Sequence, residues 1–373
     1  MDSSPTSLLL RPPMDTSTIL FDPSILQKQS KITKEFIWPQ NDRTNSLEVL
    51  QAPLIDLQGF FLNHEPSILA SAELISSACR SHGFFQVINH GVDPSLSRQA
   101  LDFLDHFFTL PLPLKLRHRR NPGSMWGYAG AHSDRFSSNL PWKETFSFGF
   151  HDTSLSHPVV TDFFTSTLGH EFKQIGLVYQ KYCEEMKKLS LTIMELLAIS
   201  LGVERMHFRE FFEDSNSIMR CNYYPPCQEP ELALGTGPHC DPTSLTILQQ
   251  DNVGGLQVFS DEKWKSVPPV PDALVINIGD TFMALSNGKY KSCLHRALVN
   301  RQRTRKSLAF FLCPREDRVV RPPPGMVVDG MRKYPDFTWA ELKEFTQKHY
   351  RADMNTLQIF SQWLLTASSS SFK

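Results

Sequence analysis

The chain has 373 residues, 40% of them apolar and 21% charged, which suits one large catalytic unit with additions or two units sharing an interface. With 38 basic residues against 39 acidic ones the formal charge is −1, so the electrostatic footprint of a nucleic-acid or anionic-membrane binder is missing. The seven cysteines are odd in number, scattered and without a C-x-x-C pair, which argues against a disulfide framework or zinc ribbon and makes a reducing compartment the default.

Residues 1–50 mix Ser, Thr, Pro, Gln and charge without sustained periodicity, and are expected to form a largely disordered arm with order beginning near Pro53. Leu8 to Leu10 is too short for a signal-peptide core, and no stretch reaches the roughly 18 apolar residues of a membrane span. Asp2, Asp15 and Asp22 are too acidic for a plastid transit peptide. A soluble, cytoplasmic protein without a membrane or nucleic-acid partner is expected, with a monomer as the simplest state.

Residues 51–210 read as a mixed α and β region. A short strand pattern lies in Pro53–Phe60, a helical one through Ile68, Ala72 and Ile75, and a β-rich run in 81–91 between Gly83 and Gly91. His82 and His90 in that run are expected to be satisfied by backbone rather than to bind metal. Asp93-Pro94 opens a helix reaching Phe108, and the basic cluster Lys115–Arg120 is expected to be a solvated face. Residues 123–150 are rich in Gly and aromatics, a composition suited to walling a pocket. From Glu171 to Leu201 apolar residues recur at spacings of three and four, which predicts a long helix laid on a sheet and stopped by Gly202.

Residues 211–315 change texture to short strands punctuated by Pro, Gly and Asn, the signature of a sandwich or barrel. Residues 316–373 return to helix, with Thr338 and Glu341 spaced for a capping box and an unfolded Ser-rich tail expected after it.

The chemistry centres on His239 and Asp241. Read as one strand, residues i and i+2 point to one face, and an imidazole beside a carboxylate makes two-thirds of the facial triad that leaves open positions on non-haem Fe(II). His295, 54 residues after Asp241, is the best candidate for the third ligand. Arg305 and Ser307 share the same i, i+2 spacing at the start of an apolar strand. An arginine beside a hydroxyl suits a carboxylate, here the far carboxylate of a 2-oxo acid whose other end chelates the metal and leaves a place for dioxygen.

The set Asn222-Tyr223-Tyr224-Pro225-Pro226-Cys227, His239-Cys240-Asp241, His295 and Arg305-Lys306-Ser307, with the SHGFFQVINHG run at 81–91, resembles the plant 2-oxoglutarate- and Fe(II)-dependent dioxygenases. The resemblance covers residues 53 to 350. It implies a double-stranded β-helix, or jelly-roll, core flanked by helices, with Asn222 and Tyr224 joining Arg305 and Ser307 in holding 2-oxoglutarate and ascorbate serving as reductant. Leu140-Pro141-Trp142-Lys143-Glu144-Thr145 is similar to the LPWKET segment of gibberellin 20-oxidases, where it is associated with substrate binding. That likeness implies successive oxidation of carbon-20 of twenty-carbon gibberellins to nineteen-carbon products.

Trp142 and Phe146 offer contact area for a rigid apolar diterpenoid and Lys143 a positive charge. Equally, Trp142 fits a core position and Lys143–Glu144 a surface ion pair. Three rival functions stay open at this level: a dioxygenase of another substrate such as a flavonoid, a zinc hydrolase on the same three ligands, and a non-catalytic binding protein.

Overall fold

The computed structural model describes residues 20–43, 48–121, 123–133, 135–136, 138–151, 158–327, 330–349 and 355–370. Among the described residues fourteen strands form, of which Val319–Val320 and Phe337–Thr338 pair only with each other and twelve build two larger sheets: β1 (Leu54–Asp56), β2 (Phe84–Ile88), β3 (Gly127–Gly130), β4 (Glu144–His151), β5 (Asn216–Tyr224), β6 (Thr236–His239), β7 (Leu245–Gln250), β8 (Leu256–Ser260), β9 (Lys263–Ser266), β10 (Leu274–Ile278), β11 (His295–Ala297) and β12 (Arg305–Cys313). The larger sheet runs β1-β2-β10-β7-β12-β5-β4-β3 and the smaller β6-β11-β8-β9. Apart from the parallel β1–β2 pair, neighbours are antiparallel. This is the double-stranded β-helix with flanking helices.

Helices cover one face of the larger sheet, so its inner strands are buried on both sides and read as nearly unbroken apolar runs, β10 being buried throughout. The helix Lys173–Leu201 buries Ile175, Tyr179, Tyr182, Met186, Leu189, Ile193 and Leu196 as one stripe. The Tyr182 hydroxyl donates to Gln249 Oε1 at 2.8 Å, fixing the helix to β7. Gly202 ends it at φ 68°, a left-handed cap that other residues adopt at a cost. The helix Pro94–Phe108 starts where Asp93 accepts the Ser95 N–H at 2.7 Å, and Thr338 with Glu341 forms the expected capping box. Among the described residues no helix is long and apolar enough to cross a membrane.

Three expectations are corrected. The arm is ordered over its described part: Phe21 and Phe36 pack on Trp142 at ring separations of 5.4 and 5.0 Å, and Trp38 donates its backbone N–H to Leu232 O and its indole N–H to Leu140 O. Its apolar residues act as single anchors without a period, which hides them from pattern reading. The basic cluster is not a uniformly solvated face, since Lys115 and Arg120 at its ends are buried. Lys115 Nζ donates to Phe108 O and pairs with Glu144 at 2.5 Å. At the C-terminus a helix runs from Thr356 to Ser370, so the serines to that point are helical. The segment 1–19, part of the expected arm, lies outside the described residues.

His82 and His90 are bound to backbone. The His82 ring accepts from Phe84 N, and the His90 ring meets Val92 N and Asp272 O.

Candidate metal centre and its two chambers

His239 ends β6 and His295 begins β11, and the two stand directly opposite each other in the antiparallel pair. Their rings lie 4.2 Å apart between centroids. Asp241 is not on the strand: β6 stops at His239, and Asp241 enters from the segment that follows, just before Pro242. Strand alternation therefore places one ligand of the His-x-Asp pair and the loop places the other. Asp241 Oδ1 comes to 3.6 Å from His239 Nε2 and 3.8 Å from His295 Nε2. Among the described residues these three form a group whose ligand atoms all lie within 4.8 Å of one another.

The surroundings fix each ligand. His239 Nδ1 lies 2.9 Å from Gly237 O and His295 Nδ1 3.2 Å from Cys293 O. A carbonyl only accepts, so Nδ1 carries the proton in each ring and Nε2 keeps its lone pair for a metal. Thr246 Oγ1 and Asn277 Nδ2 donate to Asp241 Oδ2 at 2.6 and 2.9 Å, leaving Oδ1 facing the histidines. Burial and the adjacent His295 ring push the His239 imidazolium down to about 3. Burial raises the Asp241 carboxyl, but the two histidines and the bonds from Thr246 and Asn277 outweigh it, so the group is held below its ordinary value. Two imidazoles and one carboxylate are the donor set suited to Fe(II).

The four residues expected at 2-oxoglutarate occupy two rungs of the β5–β12 ladder, Arg305 opposite Tyr224 and Ser307 opposite Asn222. Asn222 Nδ2 donates to Ser307 Oγ at 3.4 Å, and the Arg305 guanidinium lies 4.9 Å from the Tyr224 ring centre. Arg305 Nη2 donates to Gln250 Oε1 at 3.2 Å, while its Nε and Nη1 are buried without a partner, as is Gln250 Nε2. A buried cation with two unused donors is costly unless an anion completes it, so these residues fit a dicarboxylate.

Two cavities share His239 and Asp241 in their walls. An inner one of about 70 Å³ holds Asn222, Tyr224, Arg305 and Ser307, and an outer one of about 300 Å³ is lined by Trp38, Met125, Phe136, Pro141 and Trp339 among others. His239, Asp241, Lys143, Arg220, Thr236 and Phe311 line both.

The LPWKET segment divides. Lys143 reaches the cavities, with Nζ donating to Thr236 Oγ1 at 3.0 Å. Burial, with Arg220, Arg120 and Arg305 nearby, pushes its ammonium well down. Trp142 is fully buried against Phe21 and Phe36, its indole N–H shared between Pro225 O and Pro226 O. Glu144 is buried against Lys115 and Tyr128, and Thr145 Oγ1 lies against Ala129 O and the His132 ring. Trp142, Glu144 and Thr145 line neither chamber. Lys143 and Glu144 do not form the surface ion pair that their adjacency suggested.

Pattern reading missed Thr246, Asn277 and Gln250, which carry no spacing signal. It also missed Arg220, which does: it falls on the i, i+2, i+4 row of β5 with Asn222 and Tyr224.

A family model described as the 2OG-Fe(II) oxygenase superfamily matches residues 215–314, and one described as the non-haem dioxygenase in morphine synthesis N-terminal matches residues 52–165. The first spans His239, Asp241, His295 and the Tyr224–Arg305 and Asn222–Ser307 rungs, and the chain is a 2-oxoglutarate-dependent dioxygenase with Fe(II) and 2-oxoglutarate as its cofactor and co-substrate. Gibberellin 20 oxidase 2 of Oryza sativa subsp. indica is 62% identical over 340 residues, covering 91% of this chain and 87% of the relative. Gibberellin 20 oxidase 1 of Arabidopsis thaliana is 57% identical, covering 93% and 92%. This chain belongs to the gibberellin 20 oxidase family. Of solved structures, JOX2 in complex with 2OG, Fe and JA is similar at a TM-score of 0.80 and 33% identity, covering 92% of this chain and 98% of that one.

Proposed function

We propose that the enzyme oxidises carbon-20 of twenty-carbon gibberellin precursors in successive rounds, from methyl to alcohol to aldehyde, and then removes that carbon to give nineteen-carbon gibberellins. His239, Asp241 and His295 hold Fe(II). Asn222, Tyr224, Arg305 and Ser307 hold 2-oxoglutarate in the inner chamber, and the gibberellin lies in the outer one. The observation that carries this reading is the shared wall: His239 and Asp241 border both chambers, so one metal ion reaches a clamped dicarboxylate on one side and an apolar substrate on the other.

Iron bound there supplies the redox chemistry that couples decarboxylation of 2-oxoglutarate to succinate and carbon dioxide with oxygenation of a substrate C–H bond. The chain binds, orients and shields. Arg305 and Ser307 fix the far carboxylate, with the Tyr224 ring packed beside the guanidinium. Thr246 and Asn277 hold the Asp241 carboxylate in one orientation, and the two backbone carbonyls hold the imidazoles. The apolar walls position a rigid hydrocarbon skeleton and exclude water around the reacting carbon. No protein nucleophile is needed, and burial pushes the Cys240 thiol up, keeping it unreactive beside the ligands.

Purified protein with Fe(II), 2-oxoglutarate, ascorbate as reductant and air should convert a twenty-carbon gibberellin into products whose masses report alcohol, aldehyde and carbon loss. Turnover only of flavonoids or nineteen-carbon gibberellins would overturn the substrate assignment and leave the oxygenase class intact.

A further inference from the structure

The geometry points to Arg220 as the residue that binds a carboxylate of the organic substrate, from the wall shared by the two chambers. The inference rests on reading the outer chamber as the substrate site.

Arg220, Asn222 and Tyr224 alternate along β5 and share its inward face. Opposite them on β12, Arg305 faces Tyr224, Ser307 faces Asn222 and Ala309 faces Arg220. Arg220 therefore sits one rung beyond the clamp, its Cα roughly 13 Å from that of Tyr224 at about 3.3 Å per residue. It borders the outer chamber, which Asn222, Tyr224, Arg305 and Ser307 do not. The far carboxylate of 2-oxoglutarate has Arg305; an anion at Arg220 lies on the other side.

The side chain is built to receive one. Nε donates to Ser147 Oγ at 3.2 Å, and the guanidinium lies 5.5 Å from the Phe311 ring centre, so orientation is set by one hydrogen bond and one ring. Both terminal nitrogens remain for a bidentate contact. Among the described residues no carboxylate pairs with Arg220, a half-buried side chain on the chamber wall, where desolvation and the Arg120 charge push it down to about 10.

Charge balance points the same way. The inner chamber holds Arg220, Arg305 and Arg296 with Lys143, and Asp241 is its sole lining carboxylate. Arg296 is bonded to Gln257 and the Asp42 carbonyl, with the Asp42 carboxylate as its nearby counter-charge. Iron(II) and 2-oxoglutarate cancel in formal charge, and Asp241 offsets one of Arg220 and Arg305, so one guanidinium is left over even with Lys143 neutral, and one substrate carboxylate closes the balance. An acid is thereby selected over its ester or a neutral analogue.

The test is equilibrium binding of apolar carboxylic acids of several ring skeletons, a twenty-carbon gibberellin acid among them, each with its methyl ester. The full chain is used anaerobically with Fe(II) and 2-oxoglutarate. On whichever skeleton binds, the acid should bind about ten- to a hundredfold more tightly than the ester, as a charge-assisted pair implies. Arg220→Gln should abolish that preference and Arg220→Lys keep part of it, with 2-oxoglutarate affinity within about threefold of the parent. Ligand-free Arg220→Gln should melt no lower than the parent, because the removed cation has no carboxylate partner and glutamine can still donate to Ser147.

The inference is overturned if no skeleton shows an acid preference, absence of binding included, or if Arg220→Gln weakens 2-oxoglutarate as much as the acid. Turnover of the gibberellin by the parent enzyme in air is scored separately, so a wrong substrate skeleton and a wrong anchor give different results.

Discussion

Thr246 donates its hydroxyl to Oδ2 of Asp241 at 2.6 Å, from a strand five residues along the chain, and so decides which carboxylate oxygen faces the two histidines. Asn277 adds a second donor to the same oxygen. Removing one support frees the carboxylate to rotate without removing a ligand. Thr246→Val should lower Fe(II) affinity by about ten- to a hundredfold, read by metal titration, with 2-oxoglutarate saturation unchanged once iron is in excess. Equal iron affinity in the variant would remove Thr246 from the metal site.

Arg305 presents two buried, unpartnered nitrogens to the inner chamber. Arg305→Ala should raise the Kd for 2-oxoglutarate by about ten- to a hundredfold, the worth of a charge-assisted contact of roughly 1.5–3 kcal/mol. The ligand-free protein should not lose stability in proportion, since the lost charge was unsatisfied. Unchanged dependence of the rate on 2-oxoglutarate would refute the clamp.

Trp142 is a core residue at the join between the N-terminal arm and the Pro225-Pro226 turn. Trp142→Ala should cost about 3–5 kcal/mol of stability, read as a lower denaturation midpoint. The molecules still folded at low temperature should keep the parent KM for substrate. Lys143→Met, which alters the cavity wall, should show the reverse pattern. A Trp142 variant with parental stability and a raised KM would return that residue to the substrate site.

Acid should weaken the metal-free fold through its histidines. Burial holds the imidazoliums of His82, His90 and His132 below the ordinary 6.5, with the Lys143 and Arg120 charges adding to the effect at His132. The folded state therefore binds fewer of these protons than the unfolded chain. Their contribution is present in full above about pH 6.5 and is lost as pH falls below it. Burial raises the Asp280 carboxyl to about 7, which acts in the opposite sense over the same window, so the melting temperature of metal-free Asp280→Asn protein should decline between pH 7 and pH 5. A flat or rising profile would contradict the burial of these rings as neutral groups.

The reaction class was legible because its chemistry sits at short, repeated spacings, His239 with Asp241 and Arg305 with Ser307, to which the resemblance to plant dioxygenases added Asn222 with Tyr224. Strand pairing was not legible, so the pattern could not reveal that the last two pairs face each other rung for rung, or that Asp241 lies beyond the end of its strand. The arm from Phe21 to Trp38 was lost because it anchors through isolated aromatic residues rather than a periodic face. In the Trp142–Thr145 segment each side chain takes a separate environment, and only Lys143 turns to the cavity, a division that composition does not signal. Arg220 lay in plain view on the row of Asn222 and Tyr224, but its meaning depends on the two chambers that meet there.

The most direct test of the central claim is to measure succinate and oxidised gibberellin together, by mass, in one reaction of the purified enzyme with a twenty-carbon gibberellin. Both should accumulate in linked amounts, each requiring Fe(II), 2-oxoglutarate and dioxygen, and both should vanish in His239→Ala and His295→Ala variants that remain folded. Gibberellin oxidation that persists without 2-oxoglutarate, or in either variant, would contradict the account.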